Sequence, residues 1–183
     1  MRKFMLLAAL AVLAWVFVVP GCSDDFGCAA VGVARAADER CPSSVGEAGA
    51  NAKWAADRLE SIKEQRRTTA LFYDEDGNEE RLSSGSDATA EKAAEVLREV
   101  GAPASPISTY PAATHVEVKA AVAMRDGELK TGVMVINNEA GPCPGELGCV
   151  AAVPLVLPTG ASLVVWWPSD AGMKSQQFTG GQG

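Results

Sequence analysis

The residues best suited to chemistry are one histidine, one glutamate and two cysteines. The chain of 183 residues has a single histidine, His115, with Glu117 two positions later and Cys143 and Cys149 downstream. Zinc binds nitrogen and sulfur ligands readily, and a catalytic zinc site uses three protein ligands and keeps a fourth position for water. We therefore predict a Zn2+ site formed by His115, Cys143 and Cys149. Because zinc lowers the pKa of its bound water to about 7, Glu117 is the candidate proton carrier beside it.

Both His115 and Glu117 must reach one metal, which restricts the local backbone. Residues i and i+2 of a regular helix point about 200° apart, so both side chains serve one ion only at a helix start. The sequence indicates such a start, since residues 116–124 are rich in Ala, Val and Met and follow a loop with Pro and Thr at 108–114.

The two cysteines are separated by five residues, Pro144-Gly145-Glu146-Leu147-Gly148. Glycine and proline let a short loop turn back sharply, so both sulfurs can reach one metal. Pro142 predicts a helix start near Cys143, whose partial positive charge favours the thiolate. A disulfide between Cys143 and Cys149 is the alternative, because disulfides form in exported proteins.

The order of these residues is similar to the H-x-E…P-C-x-x-C pattern of nucleobase deaminases, with C-x5-C replacing C-x2-C. From Thr68 to Gly180 the chain resembles the DddA-like deaminase toxin family, a family of bacterial toxin domains that deaminate cytosine in DNA. Beyond the zinc ligands and Glu117, the resemblance rests on the segments Leu71-Phe72-Tyr73, Met124-Arg125-Asp126-Gly127, Gly132 to Ile136, Gly141-Pro142-Cys143 and Phe178-Thr179-Gly180.

This resemblance implies an α/β, cytidine-deaminase-like fold, a mixed sheet flanked by helices, with zinc between two helix starts. It implies that Glu117 shuttles protons and that Asn137 and Asn138 bind substrate. It further implies an interbacterial toxin that converts cytosine to uracil in DNA and has a cognate immunity protein. The loop between the cysteines lacks the aromatic residue found in the related toxin. Since extruding a stacked base costs a few kcal/mol, we expect single-stranded DNA to be favoured.

The N-terminus has the pattern of an export signal. Arg2 and Lys3 precede an uninterrupted apolar run over residues 4–19, which is short for a membrane span and typical of a signal peptide. We predict a signal peptide over 1–22 with a candidate lipobox ending at Cys22, and a secreted or cell-surface protein that meets a membrane only through that signal or a lipid anchor. A cut after Ala36 and a permanent anchor are the alternatives.

The rest of the chain suits one domain. We predict a tether over 23–67 with a candidate helix at 51–67, a deaminase-like domain over 68–180 and a tail at 181–183. Within the domain the patterns predict strands at 68–74, 79–83, 132–136 and 162–167, a helix at 89–100 capped by Asp87, the helix after His115, and a short helix at 147–153 that Pro154 ends.

Charge favours a different substrate from the one that the resemblance implies. From Thr68 onward the chain has 7 Lys and Arg against 15 Asp and Glu, a net charge of −8. Nucleic-acid binders normally carry a basic patch. We expect any such patch to come from Arg81, Lys119, Arg125 and Lys130. The alternatives are a deaminase of free cytidine or nucleotides and a non-catalytic, lipid-anchored surface module with a deaminase fold.

Overall fold

The structure is a computed structural model that describes residues 41–107 and 110–181. Its helices are α1 (Val45–Gly49), α2 (Ala52–Leu59), α3 (Ala88–Glu99), α4 (Val116–Asp126) and α5 (Cys149–Val156), with a short 3-10 helix at Pro111–Thr114. Its strands are β1 (Thr69–Tyr73), β2 (Glu79–Ser83), β3 (Thr131–Ile136), β4 (Ser162–Ser169) and β5 (Gly172–Thr179).

The five strands form one mixed sheet in the order β2-β1-β3-β4-β5. Strand β1 pairs antiparallel with both β2 and β3, β3 pairs parallel with β4, and β4 pairs antiparallel with β5. The predicted hairpin between β1 and β2 is confirmed. Its turn is closed by Asp74, whose carboxylate accepts hydrogen bonds from the backbone of Asp76 and Asn78 at 3.0 and 2.9 Å.

Helices α3, α4 and α5 cover one face of the sheet and form the larger core with it. The Asp87 side chain caps α3 by accepting from the backbone N–H of Ala90 at 2.8 Å. Helix α5 is the crossover between the parallel strands β3 and β4. Strand β3 is buried almost throughout, as expected for a central strand with helices on both faces.

Helices α1 and α2 cover the opposite face, so part of the predicted tether packs as a layer of the domain. Trp54 and Ile62 are buried there against Tyr73, Val135 and Trp166. The candidate helix at 51–67 is observed as α2, which Asn51 caps by accepting from the Trp54 backbone at 2.9 Å. With helices on both faces of a mixed sheet, the predicted fold class is confirmed.

Helix α5 differs from the prediction at both ends. It begins at Cys149, not near Cys143, because Gly148 is its N-cap. It also runs through Pro154 to Val156. Pro154 removes one backbone hydrogen bond, and burial of Cys149, Val153 and Val156 against the sheet outweighs that loss.

Within the described residues, no helix combines the length and the apolar character needed to cross a membrane. The predicted signal peptide at 1–22, the candidate lipobox and tail residues 182–183 lie outside the described residues.

Candidate active site

His115 and Glu117 lie at the start of α4, where the sequence predicted them. His115 is the N-cap, with an extended backbone at φ −90° and ψ 145°. Its N–H donates to Ala112 in the preceding 3-10 helix at 2.9 Å, and its carbonyl accepts from Lys119 at 3.1 Å. Because the chain turns into the helix at this residue, the imidazole and the Glu117 carboxylate face the same space.

The structure brings the three predicted ligands together. His115 Nδ1 lies 3.1 Å from Cys149 Sγ and 3.3 Å from Cys143 Sγ, and the two sulfurs are 3.3 Å apart. Both cysteines are free, and their separation is far beyond the ~2.05 Å of a disulfide bond. The alternative of a disulfide between them is therefore wrong. One nitrogen and two sulfurs at these separations fit a zinc ion, which takes sulfur at ~2.3 Å and nitrogen at ~2.0 Å.

The loop between the cysteines closes as its glycines and proline predicted. The Cys149 N–H, in the first turn of α5, donates to Cys143 Sγ at 3.1 Å. Gly148 allows this closure, because a Cβ there would lie only 2.4 Å from the Pro144 carbonyl oxygen and 2.5 Å from that of Cys143. The sequence predicted that a helix start near Cys143 would supply positive charge to its sulfur. In the structure that helix begins at Cys149, and its first backbone N–H donates to Cys143 Sγ instead.

Packing from the sheet positions the other end of this loop. Gly141 has φ 68°, and a Cβ on it would lie 2.6 Å from Cε2 of Trp167. The indole therefore packs directly against the Gly141 backbone, two residues before Cys143. Trp167 is the partly buried neighbour of the buried Trp166 on β4, and successive side chains of a strand point to opposite faces of the sheet.

Glu117 is buried beside the ligand cluster, with 3% of its surface exposed. Its Oε2 lies 3.5 Å from Cys149 Sγ. Burial raises the pKa of Glu117, with an opposing contribution from the charge of His115. Burial also raises the pKa of the Cys149 thiol, as do the negative charges of Glu117 and Cys143. Several groups that would be anionic thus meet in a small volume, which is an environment that a bound divalent cation stabilises.

The cluster opens into a cleft of about 320 Å3. This volume falls within the range of roughly 300–1,000 Å3 typical of small-ligand sites. Among the described residues that line the cleft, Glu117 is the only aspartate, glutamate, lysine or arginine. The lining residues are Thr68, Ser84, Gly85, Thr114, His115, Val116, Glu117, Asn138, Gly141 and Cys143.

The two predicted substrate-binding asparagines have different surroundings. Asn138 lines the cleft, and its side chain also holds the turn before Cys143 by donating to the Gly141 carbonyl at 3.2 Å and accepting from Ala140 at 3.2 Å. Asn137 is not among the lining residues. Its amide is engaged by the segment that leads into β1, as it accepts from the Thr69 N–H at 2.8 Å and donates to the Ile62 and Gln65 carbonyls at 3.1 Å.

One wall of the cleft depends on Lys119, a residue whose burial the sequence did not indicate. Only 1% of Lys119 is exposed, and its Nζ donates to the Ser83 and Gly85 carbonyls at 2.8 and 2.9 Å and pairs with Asp87. The Lys119 contact, with the backbone bond from Ala90, holds the pKa of Asp87 below its usual value. Lys119 thereby fixes the Ser83–Asp87 loop.

The four cations expected to form a basic patch do not gather at the cleft. Arg81 pairs with Leu71 across β2 and β1, on the sheet face covered by α1 and α2. Arg125 lies in the last turn of α4, 3.8 Å from Glu99. Lys130 precedes β3, at the end opposite the cleft. Lys119 is buried and forms an ion pair with the half-exposed Asp87, so its charge is already paired.

The sequence model of the SCP1.201-like deaminase family matches residues 38–183, which include α1, α2 and every residue of the site. No curated protein matches the chain.

Proposed function

The chain belongs to the SCP1.201-like deaminase family, and from this premise we propose that it is a zinc-dependent deaminase that converts cytosine to uracil in DNA. The observation that supports this most directly is the cluster of His115, Cys143 and Cys149 with the Glu117 carboxylate beside it, at the base of an open cleft. Three ligands and an adjacent acid are what hydrolytic deamination of a base requires.

His115 Nδ1 and the sulfurs of Cys143 and Cys149 would hold the zinc ion. Bound there, zinc would supply a water of lowered pKa at neutral pH. Ligation through Nδ1 would leave the proton of the neutral His115 ring on Nε2. The Cys149 N–H donates a hydrogen bond to Cys143 Sγ, so the backbone helps to position this ligand.

Glu117 holds and moves the protons. Burial raises its pKa above that of an exposed glutamate, which favours a carboxyl group that accepts a proton in one step and donates it in the next. Helix α4 keeps Glu117 within one turn of its N-cap His115, so the distance between the acid and this ligand is fixed. In the proposed reaction cytosine and water give uracil and ammonia. The water oxygen bonds to C4 of the base, Glu117 carries one proton of that water to the ring nitrogen N3 and the other to the amino group, and the bond from C4 to that amino group breaks as ammonia leaves.

The cleft suggests how a base would be held. Asn138 presents an amide, and Thr68 and Ser84 present hydroxyl groups in the lining. These neutral donors and acceptors suit the polar edge of a nucleobase. The loop at 144–148 offers no aromatic wedge, which favours single-stranded DNA over duplex.

We further propose that the protein is exported and acts as an interbacterial toxin with a cognate immunity protein. Support comes from the signal-like pattern at 1–22 and from the resemblance to the DddA-like family. An export signal separates the enzyme from the DNA of the producing cell, and delivery into another cell would bring it to its substrate.

Metal analysis combined with a uracil assay tests the proposal. The purified full-length protein should contain one zinc per chain, lost in Cys143→Ser, and should form uracil in a single-stranded oligodeoxynucleotide. As a control, Glu146→Gln, an exposed position in the loop between the two cysteines that is not among the three ligands, should leave the zinc content unchanged. Absence of zinc, or zinc without uracil from any cytosine substrate, would refute the proposal.

Acidic charge favours a second candidate, a deaminase of free cytidine or nucleotides. The region from Thr68 onward has a net charge of −8, and the expected basic patch is not formed by its four candidates. Deamination of cytidine at a higher kcat/KM than of the oligonucleotide would select this candidate.

A further inference from the structure

Arg67 lies beside the cleft, although it belongs to the segment that precedes β1. A Cβ placed on Gly85 would lie 3.2 Å from Nη1 of Arg67 and 3.9 Å from its Cζ, so the guanidinium packs over Gly85. Gly85 lines the cleft, as does Thr68, the residue that follows Arg67. Arg67 itself is exposed. Its charged group therefore lies at the rim of the cleft and in contact with water.

The charge of Arg67 is available to a ligand. In the described part of the chain the ion pairs involve other cations, namely Lys53, Lys63, Lys92, Lys119 and Arg125. A guanidinium offers five N–H donors in a planar fork that matches the oxygens of a phosphate. Neither the Asp87 carboxylate, paired with Lys119, nor the buried Glu117 competes for these donors.

Two sets of hydrogen bonds fix the backbone that carries Arg67. The Asn137 amide donates to the Arg67 carbonyl at 3.3 Å and accepts from the Thr69 N–H at 2.8 Å. On the other side, the Ser84 N–H donates to the Thr68 carbonyl at 2.8 Å. Gly85, under the guanidinium, is itself held by Lys119. Arg67 is thus presented from a segment tied to both walls of the cleft.

We propose that Arg67 binds a backbone phosphate of a DNA strand whose cytosine enters the cleft, and that Asn137 is the residue that positions it. This inference rests on the proposed function. It explains how a domain with an acidic surface engages an anionic substrate, because Arg67 supplies a positive charge at the cleft rim. It also assigns Asn137 a role in the site without direct contact with the base.

Binding of a fluorescent single-stranded oligodeoxynucleotide with one cytosine tests this assignment. The full-length protein is used in a Glu117→Ala background, so that no turnover occurs during the measurement. Arg67→Gln should weaken binding roughly tenfold, as expected for one charge-assisted contact to phosphate, and should reduce the slope of log affinity against log salt by about one. Lys130→Gln is the control, because it removes the same charge about 20 Å away, at the other end of β3.

The outcomes separate this inference from the proposed function. Equal effects of Arg67→Gln and Lys130→Gln, or no measurable oligonucleotide binding, overturn the phosphate assignment. If uracil still forms in the protein with Glu117 intact, the proposed function stands without it. Conversely, Arg67-dependent binding with no uracil from any cytosine substrate supports the phosphate contact and refutes the deaminase proposal.

A double-mutant cycle tests the role of Asn137. Asn137→Ala alone should weaken oligonucleotide binding severalfold, since the carbonyls and N–H that it holds are released. In the Arg67→Gln background the same change should weaken binding less than twofold, because its effect passes through Arg67. Equal losses in both backgrounds would assign Asn137 a purely structural role.

Discussion

The starts of α4 and α5 meet at the candidate metal centre, and they supply their residues in different ways. The start of α4 provides a ligand and the acid within three consecutive residues, because His115 is the extended N-cap and Glu117 lies in the first helical turn. The start of α5 provides Cys149 in its first turn, while Cys143 arrives through a loop that folds back on Gly148. The start of α4 therefore needs only its own backbone to place His115 and Glu117. The start of α5 also needs contacts from other parts of the chain, such as Trp167 against Gly141, to place Cys143.

This difference reflects two requirements of the site, one for the proton carrier and one for the metal ligands. A proton carrier must keep a fixed distance from the ligand cluster, and the short backbone segment from the N-cap His115 to Glu117 fixes that distance. A metal ligand needs only to place one atom, so Cys143 can come from an irregular loop whose length differs from C-x2-C. The substitutions below test whether the two helix starts can be perturbed separately.

The largest effect is expected from Glu117→Ala. Removing the proton carrier should lower kcat by roughly 10²–10⁴-fold, while the zinc content and the melting temperature stay close to those of the unchanged protein, since the three ligands remain. Uracil release and metal analysis measure both. Glu91→Ala, which also removes an acid from the first turn of a helix, is the control and should retain activity; full activity in Glu117→Ala would contradict the assignment.

Lys119→Met should cost about 3 kcal/mol in the free energy of unfolding, because the Ser83 and Gly85 carbonyls lose a buried donor and Asp87 loses its partner. Denaturant unfolding measures it. Lys92→Met removes an exposed lysine that pairs with Asp126, and it should cost less than about 1 kcal/mol. Similar losses in both variants would show that burial of Lys119 does not matter.

Gly148→Ala perturbs the start of α5 alone. Its new Cβ would overlap two backbone carbonyl oxygens, so we expect a loss of about 2 kcal/mol in stability and roughly tenfold weaker zinc binding. Gly145→Ala in the same loop meets no atom within 4 Å, although its φ is 94°. It should cost about 1 kcal/mol through backbone strain and leave zinc affinity within about twofold. Competition with a zinc chelator distinguishes the two.

The smallest effect is expected from Asp87→Asn, which keeps the cap of α3 but removes the charge that Lys119 pairs with. Near neutral pH it should cost at most about 1 kcal/mol, because Asp87 is half exposed. The folded-state pKa of Asp87 is lowered, so the advantage of Asp is complete above the ordinary pKa of 3.8 and disappears as the pH falls through the folded-state value. A constant difference across that range would contradict the pairing.

Much of the catalytic half of the fold could be predicted because its signals are local. The Asp87 cap, the hairpin turn and the helix start at His115 each depend on residues a few positions apart. The i, i+2 spacing of His115 and Glu117 leaves few backbone conformations that serve one metal. The glycines around Cys143 and Cys149 likewise indicate a loop that closes on itself, and this can be predicted without knowing which residues pack against the loop.

What could not be predicted depends on partners far along the chain. The segment before β1 was predicted to be a tether, since Tyr73, Val135 and Trp166, which pack in one cluster with Trp54 and Ile62, all come more than ten residues later. Asn137 and Asn138 looked equivalent, yet they lie on different sides of the strand end, and only Asn138 lines the cleft. Lys119 looked like a surface cation because its acceptors lie more than 30 residues upstream.

The layer formed by α1 and α2 sets the boundary for producing the catalytic domain by itself. A fragment that began at Thr68 would leave an apolar sheet surface, including Val135 and Trp166, without its cover, and such surfaces promote aggregation. It would also lack Arg67. An expression fragment intended to stay monodisperse should therefore start upstream of Ser44, the residue that caps α1.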